Sequence, residues 1–337
     1  MTPAANRIQR RLWASVALAT LLATSLVVAI ALGSVALSFA DVLRALAGGE
    51  LQGFGGDIVR AIRLPRALLA ASVGAVLAVC GAYLQGLFRN PLADPSLIGV
   101  TAGASVGASA TIMFCGGMLG AVSLGAFAGG LAAVWLVYRV ATGVQGTSVA
   151  TMLLMGIAVT TLAVSLTGLM DYFADSANLR RMSLWRMGGL DGATGARALL
   201  VLTTLAVLLL SMKSTVRGLN TLLLGESQAR HLGVDVERLK SLLIVLVALG
   251  VGVSVAVAGS IAFVGLVVPH MVRLCVGPDH RILVPLSALG GASLLLLADT
   301  LARTVIAPTE LPVGLVTTLI GAPFFVFLLV RHRELVR

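Results

Sequence analysis

The sequence predicts an all-α polytopic membrane protein of about ten transmembrane helices in two inverted five-helix halves. Three observations carry that prediction. Hydrophobic residues make up 58% of the 337 and charged residues 11%, with a mean hydropathy of +1.02, whereas a soluble domain carries about a quarter charged residues. Uncharged runs recur at 12–40, 67–88, 95–138, 140–170, 198–212, 241–272, 282–298 and 311–330, and one bilayer crossing takes about 20 mostly apolar residues. A polar stretch, Lys213 to Lys240, separates two strongly apolar parts. The chain, 1–337, reads as one transmembrane domain: a first half at about 12–170, an external loop at 171–197, a second half at about 198–331, and cytoplasmic helices at about 214–240.

Arg7, Arg10 and Arg11 precede the first run, which is too long for a signal-peptide core and reads as an uncleaved span. The second span is entered at Pro65, a residue tolerated in a helix's first turn. The run 95–138 holds two crossings with a turn at Gly116-Gly117. The run 241–272 also holds two, provided the second is short or extends past Arg273. Five spans on each side of the polar stretch leave the halves inverted, as in many transporters. Arginine and lysine are in excess on the segments that share a side with the N-terminus, which places both termini in the cytoplasm. The outer segments nevertheless carry clusters: Arg60, Arg63 and Arg66; Arg180, Arg181 and Arg186; and Arg303. Two readings stand. The arginines snorkel or pair with Asp57, Asp171, Asp175 and Asp299, the last four residues from Arg303 on one helix face, or they form a basic external face for an acidic partner.

Within the polar stretch, Leu219, Leu222 and Leu223 share a helical face, and Gly225 breaks the run. Glu226 to Leu232 can form about two turns, Gly233 suits a C-terminal cap, and Asp235 is placed to cap the helix that follows. Two readings stand here too: such short polar helices need a partner surface, or the stretch is a solvated loop with some helix. Small residues such as Gly99, Gly103 and Gly107 sit at a spacing that lets helices approach closely. Chemistry is sparse. No phosphate-binding glycine loop precedes Lys213-Ser214, so ATP is not bound by that route. Cys80, Cys115 and Cys275 lie in apolar runs without pairing, and His231, His270, His280 and His332 lack metal-ligand spacing. No catalytic or metal site is expected, and the net charge of +10 reflects cytoplasmic loops, not nucleic-acid binding. No carboxylate is expected deep within a span, which speaks against an ion-coupled carrier.

Arg63-Leu-Pro-Arg66, the stretch Gly81 to Pro95 (GAYLQGLFRNPLADP), Leu224-Gly-Glu226, Leu232-Gly-Val234, Ser260 to His270 (SIAFVGLVVPH), Gly277-Pro-Asp-His-Arg281, Ala298 to Arg303 and Glu310 to Gly314 follow in order. Together they resemble the FecCD-like, or vitamin B12-permease-like, permease subunits of type II ABC importers. The resemblance implies a homodimer in a bacterial inner membrane, its substrate path on the two-fold axis. Two cytoplasmic ATPase subunits, which carry the ATP and Mg, and a periplasmic binding protein would complete the system. It implies ATPase coupling through Leu224, Gly225, Glu226, Ala229, Leu232 and Gly233, and the spacing within Glu226 to Leu232 puts Ala229 and Leu232 on one side, a small face fit for docking. It implies docking of the binding protein at Arg63, Arg66 and Arg303, and a cytoplasmic gate at Asn90, Pro91, Leu92, Thr147 and Ser148. The substrate implied is haem or a ferric siderophore, FRNPLADPSLIGVTAGA leaning toward haem permeases over B12 ones, with cobalamin the alternative within the family and a secondary carrier the alternative outside it.

Overall fold

The computed structural model describes residues 3–33, 39–47, 49, 55–144 and 146–335. Its helices in chain order are α1 (Pro3–Ala31), α2 (Phe39–Leu46), α3 (Gly55–Leu87), α4 (Val100–Phe114), α5 (Leu119–Ala141), α6 (Val149–Phe173), α7 (Ser176–Met187), α8 (Gly195–Leu222), α9 (Glu226–His231), α10 (Val236–Ala258), α11 (Val264–Val276), α12 (His280–Thr304) and α13 (Val313–Leu335). Seven are long and apolar enough to cross a membrane, and α4, α11 and the apolar part of α13 are shorter. These are the ten spans expected. A two-residue-per-strand hairpin, Thr142–Gly143 with Gly146–Thr147, joins α5 to α6.

The two long apolar runs divide as their residues require. Gly116 and Gly117 both adopt left-handed φ, +72° and +73°, and turn the chain between α4 and α5. In the second, α10 ends at Ala258 and the short α11 extends past Arg273. Two boundaries differ from expectation. α3 begins at Gly55, well before residue 67, with a π-helical stretch at Ile58–Arg63, and Pro65 opens its α-helical part. α8 runs unbroken through Lys213 to Leu222, so residues 214–222 are its last turns and not a separate helix. Nothing from Leu199 to Arg217 breaks a helix, and Lys213 and Arg217 reach solvent on long stems.

At the centre α3 and α12 lie antiparallel, in contact at three levels. Arg66 meets Asp299 near one end, Gly74 meets Gly291 midway, and Gly86 meets His280 at the other. At the middle level backbone touches backbone, since a Cβ on either glycine would collide with the other's carbonyl. Lipid offers no hydrophobic drive between helices, so close approach of small residues supplies the packing. The α4–α5 hairpin uses the same device at Gly103 with Gly129 and Gly107 with Gly125. The spaced glycines therefore serve packing within the chain.

The third span of each half, α4 and α11, is short and follows an irregular stretch that ends on a left-handed residue, Gly99 (φ +77°) and Phe263 (φ +68°). Interrupted spans in corresponding positions are a mark of inverted repeats. Before α4, Asp94 accepts a bond from the Ser96 amide at 2.8 Å and opens the single 3-10 turn Pro95–Ile98. Asp94 lines a cavity of about 60 Å³ with Leu77, Val251 and Gly265. Leu77 lies about midway between Arg66 and Gly86 along α3, so Asp94, half-buried and between spans, comes beside the middle of α3 without lying within a span. The chain re-enters there between spans, which a hydropathy run cannot reveal.

A side chain at the central crossing should overpack it at a cost of about 1–3 kcal/mol. Gly291→Ala is expected to lower the thermal midpoint in detergent, while Gly56→Ala, whose Cβ would meet nothing within 4 Å, should leave it unchanged.

Candidate functional site

At one end of the bundle, Arg66 of α3 donates Nε and Nη2 to Asp299 of α12 at 2.9–3.2 Å. Its Nη1 lies 2.8 Å from Glu310. Arg303, one turn beyond Asp299, places Nε 3.0 Å from the same carboxylate and donates to the Leu32 and Ala29 carbonyls at 3.1 and 2.9 Å. Arg63 donates to the Ile30 and Ala31 carbonyls at 2.9 and 2.8 Å. The last carbonyls of a helix have no partner within it, and here arginines from α3 and α12 cap α1. The three sequence-predicted arginines are thus brought together, and with Glu310 they line an open cleft of about 180 Å³. Asp299 is 1% exposed, whereas the Glu310 side chain is 43% exposed. The Asp299–Arg303 pair expected from their spacing is present, as is an Arg186–Asp171 pair at 2.7 Å. Sequence reasoning missed Glu310 and the α1 carbonyls as partners, because both come from segments remote from α3 in the chain.

At the opposite end, α9 stands between two glycines in conformations that disfavour side chains, Gly225 (φ +109°) and Gly233 (φ +81°). The Gly233 and Val234 amides donate back to the Arg230 and Ala229 carbonyls at 3.0 Å, the closing pattern of a glycine-terminated helix. Asp235 caps α10 through the Arg238 amide. Ala229 is fully buried and faces the core, so the expected docking face of Ala229 with Leu232 does not exist. A helix this short lies flat on the bundle, and only a small side chain fits beneath it. The exposed residues of this segment are Leu224, Ser227, Gln228, Arg230, His231, Leu232 and Gly233, with Leu224 65% and Leu232 54% exposed. Glu226 turns sideways to Lys240 of α10, 2.9 Å away.

The remaining predicted residues lie at this same end. The Asn90 side chain accepts the Leu92 amide at 2.9 Å, which fixes the turn around Pro91, and Arg89 before it is left-handed (φ +49°). Leu92 is exposed. The Arg89 guanidinium approaches to 3.7 Å from where a Gly225 Cβ would be, which brings this turn beside α9. Thr147 is buried, with its amide 2.7 Å from Glu237 and its carbonyl 2.8 Å from Lys240. Ser148 caps α6 by accepting the Thr151 amide at 3.2 Å. The N-terminal end of α1 belongs here too, through an Arg11–Asp279 pair at 3.8 Å beside Asn220.

Between the two ends, an open cleft of about 430 Å³ runs along α6. Its walls carry hydroxyls, including Ser96, Thr101, Ser105, Thr160 and Thr167, and Arg186 is the charged residue among them. α6 also leaves Leu154, Ile157, Leu162 and Val164 exposed. Bare apolar surface on a span's flank suits lipid or another protein surface.

The chain matches the model of the FecCD transport family over residues 21–331. It is 46% identical over 282 residues to the hemin transport system permease protein HmuU of Yersinia pestis, which covers 81% of this chain and 83% of that protein. It is 48% identical over 277 residues to the cobalamin import system permease protein BtuC of Halobacterium salinarum, covering 82% and 74%. The vitamin B12 import system permease protein BtuC of Escherichia coli is 44% identical over 275 residues, covering 81% and 83%. Among solved structures, a metal-chelate type ABC transporter in an inward-facing conformation matches with a TM-score of 0.83 at 33% identity, over 94% of this chain and 98% of that one.

Removing the shared carboxylate should be costly, because two buried guanidinium groups would lose the one buried acid between them and keep only the half-exposed Glu310 and the α1 carbonyls. Asp299→Asn is expected to lose about 3–5 kcal/mol of stability, visible as a large drop in detergent melting temperature. Glu310→Gln, at a half-exposed position, should lose less than about 1 kcal/mol.

Proposed function

We propose that this chain, which belongs to the FecCD transport family, is the permease subunit of an ATP-driven importer for an iron chelate, haem or a ferric siderophore. It acts as a homodimer in a bacterial inner membrane, both termini in the cytoplasm, and is not itself an enzyme. Two ATPase subunits carry the ATP and Mg, and a periplasmic binding protein delivers the substrate. The observation that carries the substrate class is the hydroxyl-lined cleft beside α6, about 430 Å³ with Arg186 at its wall. A bulky amphipathic chelate suits such walls, which offer apolar surface, scattered hydroxyls and, in Arg186, one cation already paired with Asp171. Cobalamin is the second reading, since relatives named for hemin and for cobalamin match this chain about equally well.

In this reading the exposed apolar residues of α6 approach their two-fold mates, so that two clefts join into one path. The ATPase seats on the outward side of α9, with Leu224 and Leu232 at its ends and a groove of about 340 Å³ beside it. Asn90, Pro91, Leu92, Thr147 and Ser148 close the path at that end. At the other end a carboxylate of the binding protein displaces Glu310 from Arg66, while Asp299 keeps Arg66 and Arg303 in place. Arg63 lines the same cleft. Charge reversal at Arg303 would set an acid against Asp299 and the α1 carbonyls, so the informative substitution lies at Glu310.

The decisive experiment is uptake into proteoliposomes that contain the permease, its ATPase and its binding protein. ATP-dependent accumulation of haemin or a ferric siderophore in preference to cobalamin is expected, with no hydrolysis by the permease alone. Hydrolysis intrinsic to this chain, or accumulation without the ATPase, would overturn the reading. Leu232→Glu should abolish co-purification of the ATPase while the permease still inserts. Glu310→Gln, by freeing one face of Arg66, should tighten binding-protein docking two- to tenfold, worth about 1 kcal/mol. An unchanged affinity counts against the exchange.

A further inference from the structure

Lys240 is one of two lysines in the chain and is 3% exposed. Its ammonium has three N–H donors, and three oxygens surround it: Glu226 Oε2 at 2.9 Å, Glu237 Oε1 at 3.2 Å and the Thr147 carbonyl at 2.8 Å. The other oxygen of Glu237 accepts the Thr147 amide at 2.7 Å. Both backbone groups of Thr147 are therefore held by side chains from the first turns of α10. Arg230 closes the cluster, 3.4 Å from Glu237 and 3.8 Å from Glu226, so two cations balance two carboxylates. The hairpin is shaped to receive this clamp. Gly146 has φ +100°, and a Cβ there would come within 2.7 Å of the Glu237 carboxylate.

Three elements meet at this one buried charge. Glu226 is the first residue of α9, Glu237 and Lys240 begin α10, and Thr147 precedes Ser148, the cap of α6, which walls the cleft. Lys240 is buried and all three of its donors are met, so pulling its partners away would leave a buried ammonium uncompensated, which is costly. A displacement of α9 thus carries Thr147 and the start of α6 with it. We propose that Lys240 and Glu237 form the link by which movement of the ATPase-facing helix reaches the wall of the transport path. They are positioning residues, touching neither substrate nor nucleotide. The inference rests on the reading of α9 as the ATPase-facing helix.

The test uses the assembled transporter in proteoliposomes and the ratio of substrate imported to ATP hydrolysed. Lys240→Met, which keeps the apolar stem, should still yield a complex that co-purifies with its ATPase, yet import at least tenfold less substrate per ATP. Lys240→Arg, which keeps the charge and donors, should recover part of that ratio. A second readout follows the link itself. In a background with the exposed Cys115 and Cys275 replaced by serine, the thiol-labelling rate at Ser148→Cys should change with nucleotide, and Lys240→Met should abolish that change. If Lys240→Met does not fold, Glu237→Ala carries both measurements, since it cuts the Thr147 amide contact and leaves the Lys240–Glu226 pair. A wild-type ratio with nucleotide-dependent labelling in either folded variant overturns the link. Loss of ATPase co-purification also overturns it, because the cluster would then serve to shape the docking surface. Failure of the wild-type chain to bind any ATPase or import anything would instead sink the reading on which the link rests, and the link with it.

Discussion

The contact of bare backbone between α3 and α12 at Gly74 and Gly291 sets the register on which the rest of the molecule depends. Two antiparallel helices that touch at their midpoints leave no freedom at their ends. With that crossing fixed, Arg66 falls beside Asp299 in one direction, and Gly86 falls beneath His280 in the other. The first contact organises the arginine cleft and, through Arg303, ties down α1. The second stations His280 where its backbone amide and ring Nδ1 both meet the Asn220 side-chain oxygen at 2.9 Å, linking α12 to the last turn of α8. Each end of the bundle is thus positioned from the middle.

The ends use opposite electrostatic solutions. At the arginine cleft three cations face two carboxylates, and the surplus is met by the open carbonyls of α1. A helix C-terminus carries partial negative charge, so the arrangement is favourable with no third acid. At the α9 end, acids and bases are matched in number and drawn tightly around one lysine. The first solution leaves an acidic side chain, Glu310, half in solvent, and the second leaves a basic one, Arg230, more than half exposed while Lys240 is buried.

Much of this was legible in the residues themselves. Charge-free runs located the spans, paired glycines located the turn after α4, and Gly225, Gly233 and Asp235 marked the bounds of α9 and the start of α10. Local signals sufficed wherever local geometry was decisive. The misreadings share a cause. Ala229 was placed on an outward face because a two-turn helix has too few residues to reveal which side is covered. The approach of Asp94 to Leu77 went unseen because a re-entrant stretch and a surface loop have the same hydropathy. α8 was cut at Lys213 because charge was read as a stop, although a long stem can carry it out of the apolar zone. Lys240 was overlooked for the opposite reason. Its partners come from three segments up to 93 residues away, and no spacing rule connects them.

The glycine crossings have a mechanical consequence. Packed side chains allow helices to shear past one another by many small rotamer adjustments. Where main chain lies on main chain, as at Gly74 with Gly291 and Gly81 with Gly265, there is nothing to readjust, and any slip drives carbonyl into Cα. α3, α11 and α12 must therefore travel as one stiff block, and bending is confined to joints outside it. Gly188 and Gly259, both at positive φ, meet each other's flanking main chain just as closely, so the stretch after α7 is pinned to the end of α10 in the same way. In the proposed two-fold path, walls carried on such a stiff block would change their separation by tilting, so the width would be governed by an angle and not by the size of the side chains lining it. Cargoes of different girth would then share one set of walls.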